Sequence, residues 1–280
     1  MDVTGMLRRY GTPRAFVVSA ADGTGARLDV EAEMRARGWV RARAPGETGV
    51  LVVCGDPGPE LGRAIDTVWR SMPGPRRRGA TIDDLRECGD AGRADLKDVG
   101  MADRGDDRDG LKLDVLHVPV GPVLPDWPAG VRLDVALQGD VVQEARVTVV
   151  ESAPDFWGER RVPRRLDAVA RLLRVAGWDG AAERAAVLRD AALHGEDGFA
   201  PRFAAFRRRV ERSWTLRWMT RGVGPRDGAD VHDRLVAWLA EIGGDGQAPG
   251  GESVDVLPEL VTGEEFGRAR LIVASVDADG

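Results

Sequence analysis

Residues 112–150 read KLDVLHVPVGPVLPDWPAGVRLDVALQGDVVQEARVTVV, and their pattern decides the architecture of the C-terminal half. An apolar run, Leu113 to Val120, is bent off by Gly121-Pro122 and again by Pro125 and Pro128. From Val131 the alternation is clean. Val131, Leu133, Val135 and Leu137 fall on one face, with Arg132, Asp134 and Gln138 on the other. Gly139-Asp140 then separates this run from a second, ending at Val150. Two alternating runs about a short glycine-containing connection predict a β-hairpin.

Upstream, the pattern changes to strands alternating with helices. Residues 14–20, RAFVVSA, predict a strand, and Leu28 to Arg37 has helical spacing that stops at Gly38. Trp39 to Ala44 reads as a second strand and Gly49 to Cys54 as a third, whose unbroken apolar character suits a strand covered on both faces. The turn Gly55-Asp56-Pro57-Gly58-Pro59 opens a helix carrying Leu61, Ile65, Val68 and Trp69, with proline at its first position. This order predicts a parallel α/β sheet. The turn glycines fit neither the P-loop nor the dinucleotide fingerprint, and no Lys-Ser/Thr follows them.

Downstream of Val150 the expectation is a helical bundle. Val162, Leu166, Val169, Leu172 and Leu173 form one stripe, and Ala182, Ala185, Leu188 and Ala192 another. Phe199, Phe203, Phe206, Val210, Trp214 and Trp218 keep steps of three and four, predicting one long helix with an aromatic core stripe. Val231, Leu235, Leu239 and Ile242 make a fourth, followed by a glycine-rich loop, Gly243 to Gly251. Between the halves, residues 90–110 are rich in Asp and Gly and read as a solvated linker. An EF-hand alignment of this stretch fails, placing Gly105 and Leu116 at ligand positions. The expected domains are thus 13–89, the linker 90–110, and 111–280.

With 280 residues, 43% hydrophobic and 31% charged, the chain has the composition of a globular protein large enough for two cores. The net charge of −6 argues against nucleic acid as the main partner. No apolar run approaches the roughly 20 residues that span a bilayer, and the N-terminus lacks a signal-type apolar segment. Two cysteines, Cys54 and Cys88, without a disulfide framework around them, suit a reducing cytoplasm.

Two motifs carry a family resemblance. Gly121-Pro122-x-x-Pro125, a spacer, then Arg132-Leu133-x-x-x-Leu137-x-Gly139-Asp140-Val141-Val142 resembles the opening of the nickel–iron hydrogenase large subunit and the related quinone-site subunit of respiratory complex I. Leu124 stands where that family has its first histidine, and Asp126-Trp127-Pro128-Ala129-Gly130 supplies no second one. VLVVCGDPGPELGRAIDTVWRSMPGPRRR (50–78), with Met72-Pro73-Gly74-Pro75, is similar to the small, cluster-bearing subunit. The tail ARLIVASVDADG resembles the large subunit's closing strand.

The resemblance implies a flavodoxin-like sheet followed by an α+β domain with a hairpin and helical bundle. It also implies a candidate region between the two domains, formed by Cys54, Gly55, Cys88, His117, Gly121 and Pro122. An iron–sulfur cluster needs about four thiolate ligands, so two cysteines leave a self-contained cluster without its ligands. The paired Cys-x-x-Cys motifs of the nickel–iron centre are absent. The only tyrosine, Tyr10, lies outside the large-subunit-like region. No catalytic residue, metal or cofactor is therefore expected. Cys54, at a strand end before a helix, reads either as an activated thiolate or as a buried structural residue. His194 and His232 read as helix-end or surface residues, and His117 is the histidine nearest the family's site.

Arginines cluster at Arg160, Arg161, Arg164 and Arg165 and at Arg207, Arg208, Arg209 and Arg212. Each run suits a solvated helix face or a surface for an acidic partner or membrane, and Arg207, Arg208 and Arg209 are the candidate partner-binding residues. The expected function is a non-catalytic accessory or assembly subunit of a membrane-associated complex I-like or hydrogenase-like redox complex. Its partners would be that complex's protein subunits, and its place the cytoplasm, peripheral on the inner face of the membrane. The alternative is a soluble oxidoreductase or electron-transfer protein with a site between the domains.

Overall fold

In the computed structural model the described residues are 12–87, 103–106, 112–152, 155–246 and 253–276. They divide into two compact units. The first comprises Met1–Asp98 with Glu151–Pro154, the second Val99–Val150 with Asp155–Gly280.

The first unit is α/β. Strands β1 (Arg14–Ser19), β2 (Val40–Arg41), β3 (Val50–Cys54) and β4 (Arg77–Gly79) pair in parallel in the order β2-β1-β3-β4. A short β5 (Arg86–Glu87) adds antiparallel at the edge. Helix α1 (Thr24–Ala36) follows β1, and α2 (Pro59–Ser71) follows β3, with Pro59 at its first position as expected. The two central strands are buried along almost their whole length, Ala15 to Val18 in β1 and Leu51 to Cys54 in β3. Ala15, Val17, Val52 and Cys54 pack with Val30 and Met34 of α1. The second expected strand shrinks to the two residues of β2, neither of which is buried.

The second unit opens with antiparallel strands β6 (Asp103–Asp106), β7 (Lys112–Val120), β8 (Val131–Gln138) and β9 (Val141–Val149) in sequential order. The β8–β9 hairpin turns at Gly139-Asp140 as predicted, with Val135 opposite Ala145 and a bulge at Ala136/Leu137. β6 lies inside the expected linker. Asp103 to Asp106 pair with Val115 to Lys112, so backbone pairing organises a stretch with no apolar side chain to announce it. The rest of 90–110 lies outside the described residues.

The inward face of the sheet (Val120, Val131, Leu133, Val135, Val142) is covered by helices sharing one core. Helix α3 (Arg161–Val175) contributes Leu166, Val169, Leu172 and Leu173, and α4 (Asp179–His194) contributes Ala182, Ala185 and Leu188. The alanine face of α4 lets it lie close along α3, since no bulky side chain holds the backbones apart. Helix α7 (Val231–Gly243) brings Leu235, Trp238 and Leu239 to the same core.

Two expectations fail here. The aromatic stripe is not one helix. α5 (Phe199–Glu211) ends, Ser213 accepts a hydrogen bond from the Leu216 N–H at 3.3 Å, and α6 (Trp214–Thr220) begins. Phe203, Phe206 and Val210 are buried as foreseen, but the capped break re-sets the helical phase. Leu216 then turns inward, and Trp214 and Trp218 are 75% and 71% exposed. The tail is likewise not a strand. After α8 (Leu257–Val261), residues Phe266–Ser275 form α9, with Leu271 to Ala274 buried in the same core. A short continuous apolar run does not distinguish strand from buried helix by its period. The chain just before α9 pairs with β9, where Val142 donates to the Glu264 carbonyl at 2.9 Å and Phe266 to that of Asp140 at 2.7 Å, protecting the sheet edge.

Charges are buried among the helices too. Arg189 of α4, with no exposed surface, meets Asp167 of α3 at 2.6 Å and Asp190 at 2.9 Å. Arg165 of α3 meets Glu241 of α7 at 2.7 Å. Truncating one member of a buried pair leaves its partner's charge undercompensated. Asp167→Ala is therefore expected to destabilise the second unit by about 3–5 kcal/mol, read as a lowered midpoint in urea unfolding.

Candidate functional site

The sequence-derived site residues fall into both units. Cys54 ends β3 and Gly55 follows it in the first unit, whereas His117, Gly121 and Pro122 belong to the second; Cys88 lies outside the described residues.

At the ends of β1 and β3 two strand–helix turns approach closely. The Ala20 N–H donates to the Cys54 carbonyl at 2.8 Å, and the Asp56 N–H to Asp22 Oδ1 at 3.0 Å. A Cβ on Gly23 would overlap the Cys54 carbonyl, and Gly55 has φ +86° with Gly23 Cα 2.6 Å from where its own Cβ would stand. Both positions thus require glycine. A carboxylate occupies the cradle. Glu151 accepts from the Gly58 N–H, which caps α2, and from the Ala21 N–H at 3.4 Å. An acidic group at a helix N-terminus satisfies orphan donors and meets the positive end of the dipole. The cradle's donors are thereby engaged by the chain's own side chain.

Burial pushes the Cys54 thiol up to about 12. Of the two readings of this residue, the fold supports the structural one: the side chain is buried and protonated at neutral pH.

In the second unit, Gly121 (φ +79°) and Pro122 form a turn closed by Trp127, whose indole N–H donates to the Val131 carbonyl at 2.7 Å. A Cβ on Gly121 would collide with that indole and stand 2.7 Å from the Val131 oxygen. The turn is thus locked by Trp127. His117 stands on β7 opposite Ala136, exposed on the outer face of the sheet. It borders a depression of about 370 Å³ with Asp134, Glu144 and Arg146. Among the described residues, no group of three or more His, Cys, Asp or Glu side chains could hold a metal ion.

His194 ends α4 as expected, its Nδ1 2.7 Å from the Asp190 carbonyl. His232 also stands at a helix end, as the second residue of α7, but is buried. Its Nδ1 lies 3.2 Å from Thr220 Oγ1, and the Thr220 hydroxyl donates to the Leu216 carbonyl at 2.7 Å, so the imidazole is the donor. Burial, with Arg221 nearby, lowers its pKa. It acts as a strut between α6 and α7.

The three candidate partner-binding arginines separate. Arg207 is engaged by Glu211 at 2.7 Å and by Asp245, whose hydrogen bonds raise its pKa. Arg208 projects to solvent. Arg209 sits over the Trp178 ring at 5.6 Å and borders a groove of about 540 Å³ between α4 and α5. Val187, Leu188, Ala205 and Phe206 line it with apolar surface, while Arg184 and Arg202 stand with Arg209 at its margin. Arg202 pairs with Glu196 at 3.3 Å, and Glu183 is the groove's own acidic group. Sequence reasoning missed Arg184 and Arg202 because only the α4–α5 packing brings them beside Arg209.

Two outcomes are expected from these sites. In a Cys88→Ser background, Cys54 should resist a thiol reagent at pH ~8 until the fold is opened, since its thiolate fraction there is on the order of 10⁻⁴. The raised pKa contributes stability fully below about 8.5, the usual thiol value, and that contribution is lost as pH rises towards about 12. Gly121→Ala should cost at least 1 kcal/mol, roughly, through both the positive φ and the displaced indole, measured by thermal melting. Comparison with known protein families, with curated proteins and with solved structures finds no match for this chain.

Proposed function

We propose that the chain is a non-catalytic docking subunit of a membrane-associated redox complex of the complex I or hydrogenase kind. The observation that carries the docking role is the α4–α5 groove, an apolar floor edged by Arg184, Arg202 and Arg209 in a chain of net charge −6. Apolar anchoring surface with arginine at its margin is the composition of a protein-binding patch, and the charges steer an acidic partner to it.

The link to redox complexes rests on the two sequence motifs. The strand order β2-β1-β3-β4 supports a flavodoxin-like reading of the first unit. The Gly121-Pro122 turn entering a hairpin supports the large-subunit reading of the second. The protonated Cys54 and the cradle occupied by Glu151 favour structural over catalytic use of the first unit's turns. Among the described residues no helix is long and apolar enough to cross a membrane. In this reading the chain is cytoplasmic and reaches the membrane's inner face as a peripheral subunit.

The test is native electrophoresis of solubilised membranes carrying the tagged full chain, with the co-migrating subunits identified by mass. Comigration with cluster-bearing subunits is expected. Arg184→Glu with Arg209→Glu should weaken association about tenfold at low salt and flatten its salt dependence, with the melting temperature unchanged. A chain that migrates alone, or that purifies with stoichiometric iron and sulfide or a bound chromophore, overturns the proposal in favour of an electron-transfer protein.

A further inference from the structure

Helix α6 presents two opposite faces. Leu216 and Thr220 are buried, with Thr220 held by His232 of α7. Trp214, Arg217 and Trp218 follow at steps of three and one and lie on the other face, and Arg221 stands just past the helix end. The two indoles are 75% and 71% exposed, and Arg217 and Arg221 are exposed with them. The other exposed large apolar side chains among the described residues are Val40, Leu116, Val149 and Val187, none aromatic. Arg212, also exposed, precedes this face by two positions. The acidic groups nearby are engaged elsewhere or locally, Glu211 with Arg207 and Asp233 with Arg221 at 3.5 Å.

We infer that this face of α6 is a contact for an anionic lipid surface. Indoles favour the headgroup layer because one ring carries both an apolar body and an N–H donor. Guanidinium groups at the same level are attracted to acidic headgroups, and each adds a further gain near such a surface. The area argues for a bilayer over a protein partner. Two indoles exposed to this degree offer on the order of 350 Å², whereas a stable protein interface takes about 800 Å² from each side. A lipid surface demands no matching shape, so a short helix with two indoles and the Arg217 guanidinium beside them suffices as one contact. The inner face, fixed by Leu216 and the Thr220–His232 hydrogen bond, keeps the indoles outward without help from the ligand. This contact is separate from the docking groove on α4–α5 and does not rest on the identity of any host complex.

The test uses the purified full chain and vesicles of phosphatidylcholine with about one-third phosphatidylserine, against phosphatidylcholine alone. Flotation should show binding to the anionic vesicles and at least tenfold less to the neutral ones. Trp214→Ala with Trp218→Ala should remove the binding together with the blue shift of tryptophan emission that accompanies it. Arg217→Gln should weaken it about fivefold. All four substituted or neighbouring positions are exposed, so melting of each variant should match the parent and separates lost contact from lost fold. Equal binding to neutral vesicles, or tryptophan variants that bind like the parent, overturns the inference. So does a concentration-dependent dimer, or capture of a nucleic acid, abolished by the tryptophan substitutions while vesicles are ignored. Because no redox subunit is present in the assay, its failure leaves the docking role standing, and failure of that role leaves this contact standing.

Discussion

The inward face of strand β8 has to be covered, and most of the second unit is arranged to cover it. Val131, Leu133 and Val135 carry enough apolar surface that exposing them would cost several kcal/mol. Helix α3 shares one core with them and is itself buried on nearly every side. That burial explains the alanines of α4, because only small side chains let a further helix close on α3 without a gap. It also explains why charged residues of α3 end up inside. A helix packed all round must bury whatever its sequence places on each face, and Asp167 and Arg165 find Arg189 and Glu241 there. Such pairs confer little net stability over apolar residues of the same shape, but each punishes any packing that separates its members.

The first unit meets a different constraint, the close approach of two backbone turns. Parallel strands send their chains into helices at the same edge of the sheet, and adjacent turns must share that space. Gly23 and Gly55 allow it because neither has a Cβ to collide with the opposing backbone. The N–H groups left pointing outward are met by Glu151, a residue far away in sequence. In an α/β sheet this edge is where ligands commonly bind, and here a side chain of the same polypeptide takes the donors.

The surface features have a common cause in where helices stop. Had α5 run on through residue 218, Trp214 and Trp218 would have extended the core stripe begun by Phe203, Phe206 and Val210. Ser213 interrupts it, and the phase shift delivers Leu216 to the core and both indoles to the outside. A single cap residue thus converts a stripe that reads as core into an exposed aromatic and cationic face. The α4–α5 groove likewise arises from packing geometry, with Arg209 on one helix and Arg184 on the other lining the same depression as Phe206.

What the chain's own sequence determined is everything local. The Gly139-Asp140 hairpin, the proline-initiated helix at Pro59, the buried β3 strand and the α3 stripe were readable because period and turn chemistry act within a few residues. Only the tertiary structure decided the matters that depend on distant partners. A composition of Asp and Gly gave no sign that Asp103 to Asp106 would pair with β7, since backbone hydrogen bonding leaves no mark on side chains. The apolar tail could satisfy its burial as strand or helix, and its neighbours in the core selected the helix. Cys54 read more readily as structural than as reactive, and the desolvation that favours the structural reading is created by the other strands and helices. Apolar periodicity records that a face is buried somewhere; which face and against what is fixed by long-range packing, which no window of sequence contains.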